Sequence, residues 1–180
     1  MREGLSFRLV TRNAEGLRWL LEEAPELAGY RYWGVSVTVD APPGKDLVLS
    51  PGAAPVEERL AVMRELTQAG VQVTGRTDPF IVGFVSREEQ LWLLSETAAA
   101  GVRHVVSSAG AYNDLSMGRL LQAISASKFA HRADMVRDAY RVGDGARGQR
   151  RGANRYRLSL EDRVELHRWM RREVEALGMT

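Results

Sequence analysis

At 180 residues, 44% hydrophobic and 27% charged, with a net charge of +2, the chain has the length and composition of one globular domain able to bury a core. It contains no cysteine, which excludes disulfides, thiol nucleophiles and any Cys-ligated zinc or iron–sulfur site built from this chain alone. No run of 18 apolar residues is present, so no membrane partner is expected, and the opening MREGLSFRLV lacks the apolar stretch of a secretory signal, so a cytoplasmic location is expected.

Phe7–Thr11 reads as a short strand, and Asn13 as the N-cap of a helix carrying Leu17, Leu20, Leu21 and Ala24 at helical spacing. Pro25 and Gly29 bracket its exit. A second strand spans 30–39, with Trp33, Val35, Val37 and Val39 alternating against Ser36 and Thr38, and ends at Asp40. The Pro- and Gly-rich segment 41–55 is a long loop of the kind that often carries function. Val56, Leu60, Met63 and Leu66 mark the next helix, with Pro55, Glu57 and Glu58 at its start.

The stretch VQVTGRTDPFIVG, residues 71–83, is the centre of the chain. It reads as a strand that delivers Arg76, Thr77 and Asp78 to its carboxyl end, where Pro79 stops the ladder because it has no N–H to donate. In parallel α/β folds that end is where ligands bind; a solvated Arg76–Asp78 pair is the plainer reading. Ser86 and Glu89 form a capping box, and the helix they open points Leu91, Leu94 and Ala98 inward before Gly101. A fourth strand, 102–107, follows, then two helical pieces over 117–140. A final helix starts at Ser159, with Val164, Met170, Val174 and Leu177 near one face and Gly178 closing it.

Four strand–helix units with tight returns at Gly29, Gly70 and Gly101 are the pattern of a parallel sheet or (β/α) barrel, with the polar strand ends on one rim. The expected organisation is a (β/α) domain over 1–140, a basic loop over 141–158, and a carboxyl-terminal helix over 159–180 belonging to the same domain. Charge is polarised: residues 1–118 carry 11 Lys/Arg against 15 Asp/Glu, whereas 119–180 carry 14 against 8. The basic excess includes Arg147, Arg150, Arg151, Arg155 and Arg157 around Tyr156, residue types that suit phosphate contact and base stacking, although such a run is also a common solvated loop. Asp40, Asp78 and Asp114, each after a strand, are the carboxylates that could meet a Mg²⁺ ion. His104, His131 and His167 have no metal-ligand spacing.

The order of motifs over residues 6–110 resembles the later part of radical S-adenosylmethionine enzymes, in particular the spore photoproduct lyase and DNA-repair-photolyase-like group. The residues are Leu9-Val10-Thr11-Arg12-Asn13, Val35-Ser36-Val37-Thr38-Val39-Asp40, Pro55-Val56-Glu57-Glu58-Arg59-Leu60, Ala69-Gly70 and Pro79-Phe80-Ile81-Val82-Gly83. The resemblance implies a partial TIM-type barrel of about four βα units plus carboxyl-terminal helices. It also implies an S-adenosylmethionine pocket near Arg12, Ser36, Arg76 and Asp78. The chain departs from the family in lacking the CxxxCxxC cluster loop, and Phe84-Val85 replace the family's Asn-Asp. A [4Fe–4S] cluster would therefore need thiolates from a partner.

The resemblance thus implies a portion of such an enzyme that needs a separately encoded amino-terminal half with CxxxCxxC, or that self-associates through open barrel edges. A catalytically inactive remnant, and a nucleotide or nucleic-acid binding module, are the alternative readings.

Overall fold

A computed structural model describes residues 6–142 and 156–180. Four strands form one parallel sheet in the order β1 (Phe7–Thr11), β2 (Trp33–Thr38), β3 (Gln72–Phe80), β4 (His104–Ala109). Between them run α1 (Ala14–Glu23), the short α2 (Lys45–Leu49), α3 (Val56–Gln68) and α4 (Arg87–Ala99). After β4 come β5 (Ala111–Tyr112), α5 (Asp114–Ser125), α6 (Ala133–Ala139), β6 (Tyr156–Arg157) and α7 (Leu160–Ala176), with β5 and β6 pairing antiparallel.

The starts and stops are set locally. The Asn13 side chain accepts from Gly16 N–H at α1, the Ser86–Glu89 capping box opens α4, and Ser159 accepts from Asp162 N–H at α7. Gly70 and Gly101 end α3 and α4 with φ of +85° and +86°, a region glycine enters without a Cβ clash. Each lets the chain turn straight into the next strand.

One face of the sheet is apolar and covered by helices. Trp33, Val35, Val37 and Val39 of β2 and its end pack with Leu17 of α1, Val56, Leu60, Met63 and Leu66 of α3, and Leu93 of α4. Burying each such valine contributes about 1.5–3 kcal/mol relative to leaving it in water. A second apolar cluster joins Phe80 and Phe84 to Leu94, Met117, Ile124, Val136, Leu166 and Trp169, so α5, α6 and α7 close the β3–β4 end of the molecule.

The opposite, concave face is polar. Register places Val10, Ser36 and Thr74 in one layer and Thr38, Arg76 and Val106 in the next, and alternation puts Arg8 and Arg12 on that same side. Parallel sheets ordinarily carry apolar residues on both faces because both are covered. Here every residue of β2 is buried, but Ser36 and Thr38 lie on the concave side of that strand.

Several expectations are corrected. Pro79 does not stop β3, which runs on to Phe80; the β3–β4 ladder shifts register between Thr77 and Phe80, so the missing N–H falls in the irregularity. The Asp78–Pro79 bond is cis. The loop 41–55 contains α2, and Pro25–Gly29 form a 3₁₀ turn. In α4 the buried residues are Gln90, Leu93, Leu94 and Thr97, with Leu91 turned outward, and in α7 Leu166 and Trp169 are buried while Val164 is exposed. The basic stretch with Arg147, Arg150, Arg151 and Arg155 lies outside the described residues, whereas Arg157 is exposed in β6.

The two edges of the sheet also differ. β1 is exposed along its outer edge. At the base of β4, Thr180 N–H donates to Arg103 C=O at 2.8 Å and Val105 N–H donates to Thr180 C=O at 2.8 Å, so the base of that edge is occupied.

Candidate functional site

The carboxyl ends of β1, β2 and β3 bring a set of charged side chains to one rim. Arg12 follows β1, and its Nη2 donates to Asp40 at 2.8 Å. Asp40, just past β2, is buried and also accepts from Arg59 at 3.3 Å. Arg59 has no exposed surface; its Nη1 also donates to Thr38 C=O at 2.5 Å, and its Nη2 meets Asp46 at 3.1 Å. Asp46 accepts from Gly44 N–H at 2.9 Å and Val56 N–H at 2.7 Å. Because Pro55 has no side-chain cap to offer, Asp46 supplies an acceptor to one of the orphan amides of α3 from ten residues upstream.

Arg59 sits on the apolar stripe of α3 with Val56, Leu60 and Met63. An isolated charge there would be strongly unfavourable, and the two carboxylates and one carbonyl compensate it. Lys45 is the second buried cation. Its Nζ donates to Phe84 C=O and Glu89 Oε2, each at 2.6 Å, and lies 5.3 Å and 5.5 Å from the centroids of Phe84 and Phe129. Together Asp46 and Lys45 fix the segment 41–55 to α3 and α4, which holds the rim in place.

On β3 the Arg76 guanidinium pairs with Asp78, and Ser108 of β4 donates to the same carboxylate. Register puts Thr38 beside Arg76, and Val39 N–H donates to Arg76 C=O at 2.8 Å. Asp40 and Asp78 are thus neighbours across β2 and β3. Beside them, Tyr112 and Tyr140 stack edge to face with centroids 5.4 Å apart. Burial raises both hydroxyls, Tyr140 to about 12, and Tyr112 higher with further contributions from Tyr140, Asp40 and Asp78.

The structure therefore puts Arg12, Ser36 and Arg76 on one concave face in adjacent layers, with Ser36 buried below the two arginines. It does not leave two open cations, because Arg12 meets Asp40 and Arg76 meets Asp78. Arg12 retains one buried donor, Nε, without a partner. A cavity of about 390 Å³ opens beside it, lined by Thr11, Arg12, Asn13 and residues 50–54. Asp114 accepts instead from the Tyr156 hydroxyl at 3.0 Å. Among the described residues no group of three carboxylate or imidazole side chains is arranged to hold a metal ion, and no helix is long and apolar enough to cross a membrane.

Sequence reasoning missed Arg59, Asp46, Lys45 and the tyrosine pair. One signal was available: a lone arginine at a core position of the Val56–Leu66 stripe requires buried acids nearby.

No protein-family model matches the chain, and no curated protein matches it. Solved structures do. Spore photoproduct lyase complexed with dinucleoside spore photoproduct is 17% identical, with a TM-score of 0.64 over 97% of this chain and 49% of that one. A variant of the lyase with bound AdoMet and dinucleoside spore photoproduct is 16% identical, with a TM-score of 0.62 over 97% and 49%. The chain spans about half the length of the structures it matches. It has the fold of half of that lyase, and the α/β partial barrel implied by the sequence resemblance is present.

Proposed function

We propose that this chain is the cluster-free portion of a radical S-adenosylmethionine-type barrel, and that it acts with a separately encoded amino-terminal half bearing CxxxCxxC. The observation that carries this reading is the polar concave face of a four-stranded parallel sheet in a chain that matches, over 97% of its length, half of spore photoproduct lyase. The chain has no thiolate, so a [4Fe–4S] cluster does not fit it alone. A [4Fe–4S] cluster would have to be held by cysteines of the proposed partner, where it would supply reducing electrons.

The residues of this chain fit the sulfonium cofactor better. The unpartnered Nε–H of Arg12 is a buried donor at the rim, suited to a carboxylate oxygen. Ser36 offers a hydroxyl one layer below, and Arg76 a second guanidinium that Asp78 holds in orientation. By analogy with the matched lyases, the substrate class we propose is a dinucleoside photoproduct.

Coexpression with a CxxxCxxC-bearing amino-terminal half tests the reading. Reconstituted iron should copurify with the complex, and S-adenosylmethionine should be cleaved reductively. Calorimetry on that complex should show Arg76→Ala weakening cofactor binding about ten- to a hundredfold, the loss of one charge-assisted bond of roughly 1.5–3 kcal/mol. Binding indifferent to both Arg76→Ala and Arg12→Ala would refute the cofactor assignment.

A further inference from the structure

The two edges of the sheet are not equivalent, and the difference says where and by what the barrel is extended. At β4, Thr180 occupies Arg103 C=O and Val105 N–H, its hydroxyl meets His104 Nδ1 at 2.5 Å, and Met179 beside it is buried in the second core cluster. A strand adding to the base of β4 would have to displace this segment. At β1 no described residue would be displaced. Phe7 N–H donates to Tyr32 C=O, so in a parallel ladder residues 7, 9 and 11 face β2, and the N–H and C=O groups of Arg8 and Val10 face outward. Side chains on both sides of this open ladder are apolar and exposed: Phe7 by 48%, Leu9 by 38%, Val10 by 55%. Natural sheets blunt such an edge with bulges, proline or several charges; here Arg8 is the one charge within β1.

Among the described residues Arg8 is also a cation of the concave face with no carboxylate partner. Its Nη1 reaches across the Gly34 position of β2 to the Thr74 hydroxyl at 3.0 Å. Arg12 and Arg76 on the same face each hold an aspartate, whereas no carboxylate of the described residues pairs with Arg8. We propose that the outer edge of β1 is the docking edge of this chain, and that its occupant is a strand of a different polypeptide with a carboxylate directed at Arg8. This rests on the half-barrel reading above and names the recognition chemistry of its partner.

A second copy fits less well. Two-fold pairing centred on Leu9 would set Arg8 diagonal to its own counterpart, about 7–8 Å away on one face, with no acid between them. Head-to-tail pairing along the full length of β4 would have to displace Thr180 from its base.

The test uses the whole chain and two fluorescein-labelled nine-residue peptides of alternating valine and threonine, one with a central Glu and one with a central Lys. In anisotropy titrations the Glu peptide should bind at least tenfold tighter than the Lys peptide. Arg8→Gln should abolish that preference while leaving weak binding of both. Val10→Pro removes an outward N–H without touching the β1–β2 ladder, and should weaken both peptides at least tenfold; unchanged circular dichroism and melting temperature confirm that the variant folds. Sedimentation should find a monomer at tens of micromolar. Equal binding of the two peptides, no binding of either, indifference to Val10→Pro, or a dimer that Val10→Pro dissociates would each overturn the proposal. No cluster or cofactor enters this assay. A positive result beside failed cofactor cleavage in the coexpressed complex would refute the chemistry and keep the docking edge; the converse would refute the edge alone.

Discussion

Replacing Arg59 by methionine removes the cation that neutralises the interior of the rim. In the native protein Arg59 holds Asp40 at 3.3 Å, Asp46 at 3.1 Å and Thr38 C=O at 2.5 Å, with none of these side chains more than 2% exposed. Methionine keeps much of the volume and the helix propensity but leaves two buried carboxylates short of a partner. Breaking a buried pair from one side costs about 3–5 kcal/mol. Asp40 retains Arg12 and Asp46 retains two backbone N–H groups, so the expected loss lies near the lower end, ~3 kcal/mol. With a urea dependence of about 2 kcal/mol per molar, the midpoint should fall by roughly 1.5 M, and the melting temperature by roughly 6–12 °C. Adding Asp46→Asn removes one stranded charge while keeping an acceptor for the Gly44 or Val56 amide, and should restore about 1 kcal/mol. Equilibrium urea unfolding by tryptophan fluorescence measures both. A single variant within about 1 kcal/mol of the parent, or a double variant less stable than the single, would refute the account of Arg59 as a compensated core cation.

Other outcomes follow from the same geometry. Gly83 has φ +87°, and an added Cβ would lie 2.6 Å from Met135 C=O, so Gly83→Ala should cost about 2 kcal/mol or more. Gly118, inside α5 with open space at its Cβ, should gain about 0.5–1 kcal/mol as alanine; thermal melts compare the two. Tyr140 and Tyr112 ionise later in the folded protein than their ordinary value of 10.0. The folded state therefore holds more protons above pH 10, and stability that is full below pH 10 falls as pH rises through 12. Melting temperatures from pH 9 to 12 should show this loss, and Tyr112→Phe with Tyr140→Phe should flatten it. Iron and sulfide reconstitution of the isolated chain should give no cluster absorbance, because no cysteine is present; a stoichiometric cluster would contradict that reasoning.

The parts of the fold visible in the sequence are those governed by neighbouring residues. The alternation of Trp33, Val35, Val37 and Val39 marks β2, and Asn13, Ser86 and Ser159 mark helix starts because each cap bonds within three residues. The phase of α4 was not visible, since Leu91, Trp92, Leu93 and Leu94 are consecutive and periodicity cannot choose among them; packing against β3 and α3 selects Leu93 and Leu94. Pro79 reads as a stop because its missing N–H is a local fact, while the register shift that absorbs it belongs to the β3–β4 pair. The site divides in the same way. Arg12 and Asp78 stand out as polar residues near strand ends, and Ser36 and Arg76 as polar residues within apolar strands, but the Arg59–Asp40 and Arg59–Asp46 pairs bridge 19 and 13 positions and appear only when the chain is folded.

Asp40 is shared between a half-exposed arginine at the surface and a fully buried one beneath it. It can therefore surrender Arg12 to an incoming anion without becoming an orphaned charge, because Arg59 stays in place. Under the cofactor reading proposed above, Asp40 would be a resident stand-in for a ligand carboxylate, keeping the Arg12 guanidinium oriented. Anion binding in the proposed pocket would then be an exchange of hydrogen-bond partners on Arg12, with Asp40 remaining on Arg59 and the visitor's own charge added to the site. Discrimination among anions would accordingly fall to the neighbouring donors, Arg12 Nε and the Ser36 hydroxyl, which Asp40 does not engage.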